Sequence, residues 1–111
     1  MAVTPTVLVT AKTVEAAQTT QYTASNVTTI IDKFTVTNYS SVAVNISVNI
    51  VPYGSSASSS NLIVKARTLQ PNATATFSEL VGQVLTSGSF ISTLASTASS
   101  LNMRVSGREI S

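Results

Sequence analysis

The sequence contains neither cysteine nor histidine. Without cysteine there is no disulfide framework. The lack of both residues also excludes Ser-His-Asp and Cys-His nucleophiles and ordinary zinc sites. The only carboxylate side chains are Glu15, Asp32, Glu79 and Glu109. They are scattered over different predicted elements, so a glycosidase-type pair facing one cleft is not expected. We therefore expect a protein that is not an enzyme and that uses no cofactor or metal ion.

Charged and aromatic residues are also scarce. Charged residues make up 9% of the chain and aromatic residues 5%, and there is no tryptophan. Soluble domains average about 25% charged residues. Serine and threonine supply about a third of the chain instead, a neutral surface that is typical of proteins that pack into assemblies. This surface predicts a homo-oligomer or a subunit of a larger shell. The net charge of +2 is too small to indicate nucleic-acid binding.

Long apolar runs are missing as well. No stretch approaches the roughly 18 residues that a membrane span needs. The first ten residues, MAVTPTVLVT, lack the basic start and the apolar core of a secretory signal. The sequence thus predicts a protein made in the cytoplasm with no membrane partner.

The strongest pattern that is present lies at residues 42–51, VAVNISVNIV. Val42, Val44, Ile46, Val48 and Ile50 share one parity, and alanine, asparagine and serine fill the other. Strict alternation puts one set of side chains on a dry face and the other in water, which a strand does and a helix does not. This segment indicates an all-β fold, and its apolar parity is the predicted core.

Further strands are predicted along the chain. The segment VTTIIDKFTVTN (residues 27–38) and residues 42–51 are separated only by a short Asn- and Ser-rich connection, which predicts a hairpin over residues 30–51. The serine-rich run from Ser55 is predicted to be a solvent-exposed loop or tip. LIVKARTL from Leu62, a Thr-rich strand after Pro71, and two strands near the C-terminus complete the set. The helix-like spacing between Leu80 and Leu85 is too short for more than a turn or an irregular crossover.

One acid breaks the alternation. Asp32 has the parity of Ile30, Phe34 and Val36, which should face the core. An unpaired carboxylate in an apolar layer is costly, so we expect a β-bulge between Ile31 and Phe34 that turns Asp32 outward, or a bond from its carboxylate to turn amides. A buried ionic contact or a calcium site is the less favoured alternative, because further acidic oxygens nearby in sequence are lacking.

Together these segments predict a single small two-sheet β-sandwich of seven or eight short strands, with an immunoglobulin-like or a jelly-roll-like path. The sandwich is assigned to residues 26–111. Residues 1–25 are interpreted as an N-terminal arm or as edge strands, carrying the apolar run of Val7, Leu8 and Val9.

Candidate interface residues come from two sources. Lys65 and Arg67 share one predicted strand face, as do Arg104 and Arg108, so two basic stripes could dock onto an acidic protein surface. Ordinary solubilising charge on strand faces or edges is the favoured interpretation, and docking is the alternative. The arm adds three apolar candidates, Val7, Leu8 and Val9, which we expect to pair with or cross a neighbouring subunit.

Several segments carry a resemblance to a known class of proteins. They are TIIDKFTVTNYSSVAVNISVNIVP, NLIVKARTL, ELVGQVLTSGSFIS and LNMRVSGREI, which together span about residues 28–110. The chain resembles small virion-associated structural proteins of tailed bacteriophages. The resemblance implies a non-enzymatic, many-copy virion component that decorates or cements the capsid, with major capsid or neck proteins as partners. A neck, collar or tail position is the alternative within that class, and a surface adhesion or carbohydrate-binding module is the alternative outside it.

Overall fold

The computed structural model describes residues 2–111, which form nine β-strands and one 3-10 turn and no α-helix. The strands are β1 (Val3–Thr13), β2 (Thr19–Thr23), β3 (Thr28–Asn38), β4 (Val44–Val51), β5 (Leu62–Leu69), β6 (Thr74–Thr76), β7 (Val84–Leu85), β8 (Phe90–Ala95) and β9 (Leu101–Ile110). The 3-10 turn spans Ser59–Asn61. None of the described residues belongs to a helix with the length and hydrophobicity of a membrane span.

The strands form two antiparallel sheets that pack face to face. Sheet A has the order β1-β9-β3-β6, with β7 also paired to β3, and sheet B has the order β2-β8-β4-β5. The chain therefore runs like one long hairpin, pairing β1 with β9, β2 with β8, β3 with β6 and β7, and β4 with β5, and successive pairs alternate between the sheets. This is a jelly-roll path. In the immunoglobulin path the first two strands are neighbours in one sheet, whereas β1 and β2 lie in different sheets here.

The core lies between the inner faces of the two sheets. Val44, Ile46 and Val48 of β4 are fully buried there, which confirms the predicted apolar parity. Phe34 and Phe77 stack with their ring centroids 5.4 Å apart and so join β3 to the segment after β6. The predicted small all-β sandwich is confirmed. The count rises to nine strands because the short β6 and β7 share one position beside β3.

The predicted hairpin over residues 30–51 is wrong, because β3 and β4 belong to different sheets. The buried Asn38 directs the chain across the sandwich. Its backbone N–H and C=O bond to the backbone of Asn72 and Ala73 at 2.9 Å each, so they are not free for β4. Its side-chain amide donates to the carbonyl oxygens of Val42 (2.8 Å) and Leu69 (2.9 Å). The same Asn- and Ser-rich sequence can close a hairpin or an inter-sheet connection, and here the side chain of Asn38 selects the latter.

The strand after this connection starts later than the alternation indicated. Val42 lies in the connection and is 53% exposed, whereas β4 begins at Val44. The apolar parity of Val42 therefore does not place it in the core.

Residues 2–25 supply edge strands of the sandwich and do not form a separate arm. β1 pairs with β9 from Val3 opposite Ile110 to Thr13 opposite Asn102, and β2 is the edge of sheet B beside β8. Leu8 and Val9 of β1 belong to the buried cluster, as do Val14 and Ala24, which directly follow β1 and β2, and Tyr22 of β2 packs against it. A division of the chain near residue 25 therefore has no counterpart in the packing.

The free edge of β1 is blunted by a proline. Ala2 and Ser111 exchange both backbone hydrogen bonds, at 3.1 and 3.0 Å. Hydrogen-bonded and non-hydrogen-bonded pairs alternate in an antiparallel ladder, so the backbone groups of Val3, Pro5 and Val7 point away from β9. Pro5 has no N–H to offer there. This removes a donor from the middle of the free edge and opposes its pairing with a strand of a neighbour.

Candidate functional site

The apolar run of β1 divides between the surface and the core. Val7 is 44% exposed, whereas Leu8 and Val9 are 8% and 4% exposed and belong to the core. The register along β9 shifts between Val7 and Val9, so a β-bulge at Leu8 turns both Leu8 and Val9 inward. Leu8 and Val9 were thus wrongly predicted as interface residues, and Val7 alone of the three faces solvent.

Lys65 and Arg67 do not share a face. The register between β4 and β5 changes from Ile46 opposite Arg67 to Val48 opposite Val64, so Lys65 and Ala66 form a bulge. Ala66 has a φ of 46°. Because directly opposed side chains lie on one face, Arg67 is on the inner side with Ile46 while Lys65 remains exposed. The predicted basic stripe on β5 is therefore wrong.

Arg67 closes the open edge between the two sheets. Its guanidinium group lies 4.7 Å from the centroid of the Phe77 ring and forms an ion pair with Glu79. The hydrogen bond from Arg67 is also the main reason that the pKa of Glu79 is lowered. Cation–π contacts of this kind contribute about 0.5–1 kcal/mol at exposed sites. Arg67 therefore acts in the fold, because its charge and its planar face both have partners within the chain.

Asp32 lies at the predicted β-bulge. The register between β3 and β9 shifts between Ile31 and Lys33, and Asp32 points outward, which confirms the favoured interpretation. The Nε of Arg108 is 3.1 Å from each carboxylate oxygen of Asp32, and a terminal nitrogen of Arg108 is 2.9 Å from Oδ1. The same bulge turns Ile31 into the core and Ile30 outward, opposite to the parity expected for Ile30. Arg108 is on the surface as expected, but its charge is compensated by Asp32.

The outer face of sheet A combines apolar and cationic side chains. Pro5, Arg108, Ile30 and Val84 lie opposite one another across β1, β9, β3 and β7 and so share this face. Its apolar members are Val3, Val7, Ile30, Val84 and Ile110, and its cationic members are Lys33, Arg104 and Arg108. Val3 and Val84 are 53% and 52% exposed. The fold thus brings apolar and cationic side chains together on one surface.

A depression lies within this face. It has a volume of about 350 Å³ and is lined by Lys33, Thr35, Arg104 and Ser106. Neither Lys33 nor Arg104 takes part in a salt bridge among residues 2–111. Arg104 was a predicted interface residue, whereas Lys33 was not. The sequence does place Lys33 on the solvent-facing side of β3, because it shares its parity with Thr35 and Thr37.

Part of the outer face of sheet B, around Asn49, is covered by the chain itself. The serine-rich loop after β4 folds back over the sheet, and the amide nitrogen of Asn49 donates to the carbonyl oxygen of Ser58 (2.9 Å) and to Oδ1 of Asn61 (2.8 Å). Ser58 and Asn61 form a capping box around the 3-10 turn. Asn49 is buried as a result and is only 3% exposed. Most loop residues are exposed as predicted, but the loop is held against the sheet and is not a free tip.

A polar cluster bridges the two sheets near one end. The hydroxyl group of Tyr22 in sheet B lies 2.6 Å from Oε2 of Glu109 and 2.7 Å from Oγ1 of Thr29, both in sheet A. Burial raises the pKa of Tyr22 to about 12, and the hydrogen bond to Glu109 adds to the rise.

A second cluster surrounds Glu15, which accepts from Lys12 (2.8 Å) and Gln21 (2.9 Å). The hydrogen bond from Lys12 is the main reason that the pKa of Glu15 is lowered, and the bond from Gln21 lowers it further.

Each carboxylate side chain therefore has a structural partner. Glu15 binds Lys12 and Gln21, Asp32 binds Arg108, Glu79 binds Arg67, and Glu109 binds Tyr22. Within residues 2–111 no group of three acidic side chains gathers at one point. Comparison of the chain with family models, with curated proteins and with solved structures found no match.

Proposed function

We propose that this chain is a non-enzymatic structural protein of a tailed-bacteriophage virion. In this role it is a many-copy component that decorates or stabilises the capsid and docks onto other virion proteins through the outer face of sheet A. Its site of action is the virion, and its partners are the major capsid protein or the neck proteins. A neck, collar or tail position would use the same face.

The observation that carries the proposal is the contrast between the two outer faces. On sheet B the loop that Asn49 holds in place covers part of the outer face and leaves Leu94 36% exposed, whereas sheet A leaves Val3, Val7 and Val84 44–53% exposed. These valines share the outer face of sheet A with Lys33 and Arg104, which take part in no salt bridge among residues 2–111. Exposed apolar side chains grouped with charge are typical of docking surfaces, because they are dry only when a partner covers them. Attachment through this face replaces attachment through a detached arm, since β1 is part of the sheet and Pro5 blunts its edge.

Two further features support the proposal. The jelly-roll path is used by viral capsid domains, although this is an analogy at the level of the fold, and lectin domains use it too. The engagement of all four carboxylates in structural contacts supports a role without acid-base chemistry.

The second candidate function is carbohydrate binding. A groove of about 260 Å³ lies beside the serine-rich loop on sheet B. Polar side chains of Gln18, Ser47 and Ser58 line it together with the apolar Leu62 and Leu94. Such a mixture suits hydroxyl groups and the apolar face of a sugar, but the aromatic platform that many sugar sites use is missing from its lining.

The test uses particles of the phage that encodes the chain. Mass spectrometry of purified virions measures its copy number, and particles that lack the protein are incubated with purified full-length protein and sedimented. We expect many copies per virion and saturable binding, with the mass of the free protein in solution giving its oligomeric state. Absence from virions would contradict the proposal, and binding of defined sugars on a glycan array would favour the second candidate.

A further inference from the structure

The structure points to a carboxylate-binding site on the outer face of sheet A. We propose that the depression lined by Lys33, Thr35, Arg104 and Ser106 binds aspartate or glutamate side chains of an acidic partner protein. The inference rests on the docking role proposed above and names the chemistry of the partner.

The two cations lie diagonally across neighbouring strands. Lys33 of β3 is opposite Ser106 of β9, and Thr35 is opposite Arg104. Diagonal neighbours in an antiparallel sheet are about 7–8 Å apart. A carboxylate between Lys33 and Arg104 would therefore reach both charges, and the hydroxyl groups of Thr35 and Ser106 lie at the other two corners as further donors. The volume of about 350 Å³ accommodates such a group.

Neither cation is compensated within the described chain. The salt bridges of residues 2–111 use Lys12, Arg67 and Arg108 as cations. Asp32 is the acid on the same face, but Arg108 holds it through two nitrogens. The positive charges of Lys33 and Arg104 repel each other, and an external anion between them relieves that repulsion.

The surroundings favour a protein as the source of the anion. Val7 and Val84 lie exposed on the same face, and contact with a protein would remove their apolar surface from water. A nucleic acid would instead require a cluster of cations along its backbone. The remaining cation without a salt bridge among residues 2–111 is Lys65, which is exposed on the other sheet.

The experiment measures binding of a synthetic peptide of alternating glutamate and alanine, using fluorescence anisotropy at low salt. The matched probe replaces each glutamate by glutamine, and single-stranded oligothymidine serves as the nucleic-acid probe. The variants are Lys33→Gln, Arg104→Gln and their combination, with Lys65→Gln as the control. All three positions are exposed, so each variant is expected to keep the circular dichroism and the thermal midpoint of the parent.

We expect the acidic peptide to bind and the glutamine peptide not to bind. Each single variant should weaken binding by up to about fivefold, and the double variant by about twentyfold, because exposed ion pairs are individually weak. Lys65→Gln should leave the affinity unchanged. No binding of the acidic peptide, equal loss in Lys65→Gln, or tighter binding of oligothymidine would overturn the inference. The peptide result does not depend on virions, so it separates failure of this site from failure of the proposed function.

Discussion

The two sheets of the sandwich have similar inner faces but different outer faces. Sheet B is partly covered by its own serine-rich loop, which Asn49 holds in place through two hydrogen bonds. Sheet A has no such loop over it, and its outer face presents exposed Val3, Val7 and Val84 on the same side as Lys33 and Arg104. Strand alternation alone does not distinguish these two cases, because a polar outward position looks the same whether a loop, a partner or water lies over it. The connection that folds back, and not the strand pattern, makes sheet A the candidate contact face.

The largest expected effect comes from removing the edge strand of sheet A. Deletion of residues 2–13 takes away the pairing of β1 with β9 and removes Leu8 and Val9 from the core. Burial of these two side chains alone contributes about 3–6 kcal/mol. We expect the truncated protein to be unfolded or strongly destabilised, as measured by chemical denaturation. A truncated protein with the stability of the parent would show that β1 is an arm after all.

A nearly equal loss is expected from a charge on the inner face of sheet B. Ile46→Asp places an unpaired carboxylate at a fully buried position and should cost more than about 4 kcal/mol, enough to unfold a small domain. Its neighbour Asn45 faces outward, where its side-chain oxygen accepts from Thr68 at 2.7 Å. Asn45→Asp keeps that acceptor and should be mild. Equal effects of the two variants in urea denaturation would contradict the assignment of the two faces.

A smaller loss is expected where β9 faces the bulge in β3. A methyl group at Gly107 would collide with the carbonyl oxygen of Ile30 and approach a methyl group of Leu8 to 2.9 Å. Because a backbone atom must move, Gly107→Ala should lower the free energy of unfolding by about 3 kcal/mol. Ser106→Ala, one position along and on the outer face, is the control and should change stability little. Equal free energies of unfolding for the two variants would contradict the close approach of Gly107 to the backbone of Ile30.

The smallest effect tests the cover of sheet B. Asn49→Ala removes both hydrogen bonds to the loop and should cost about 1–2 kcal/mol. The loop over residues 52–61 should also be cleaved faster by a nonspecific protease. Asn45→Ala on the same strand face is the control, since its partner Thr68 is exposed. Unchanged cleavage in Asn49→Ala would contradict the assignment of Asn49 as the residue that holds the loop against sheet B.

The fold class was predictable because it follows from residue patterns within single strands. The alternation at Val44, Ile46 and Val48 requires a strand with one dry face, and the acid at Asp32 favours the bulge that the structure contains. The bulge at Lys65 and Ala66 was not predictable. No residue there conflicts with a regular strand, and alanine is not a residue that marks a positive φ. The error on Arg67 follows from that missing signal.

The pairing of strands and the position of the site were predictable only in part. The short connection after Asn38 is compatible with a hairpin, and the crossing to sheet B depends on contacts with Leu69 and Ala73 that lie far along the chain. Likewise, Arg104 could be placed on an outer face from its own strand. Its meeting with Lys33 depends on the register between β3 and β9, which includes the shift at Asp32.

The most direct test of the central claim compares Lys33 with Lys65. The two lysines are exposed on opposite sheets of the same chain. The protein, free or bound to its particles, is treated briefly with an acetylating reagent, and mass spectrometry gives the rate of modification at each lysine. We expect Lys33 to become protected in the bound protein while Lys65 reacts as in the free protein. Protection of Lys65 with Lys33 still reactive would contradict it and would assign the contact to sheet B.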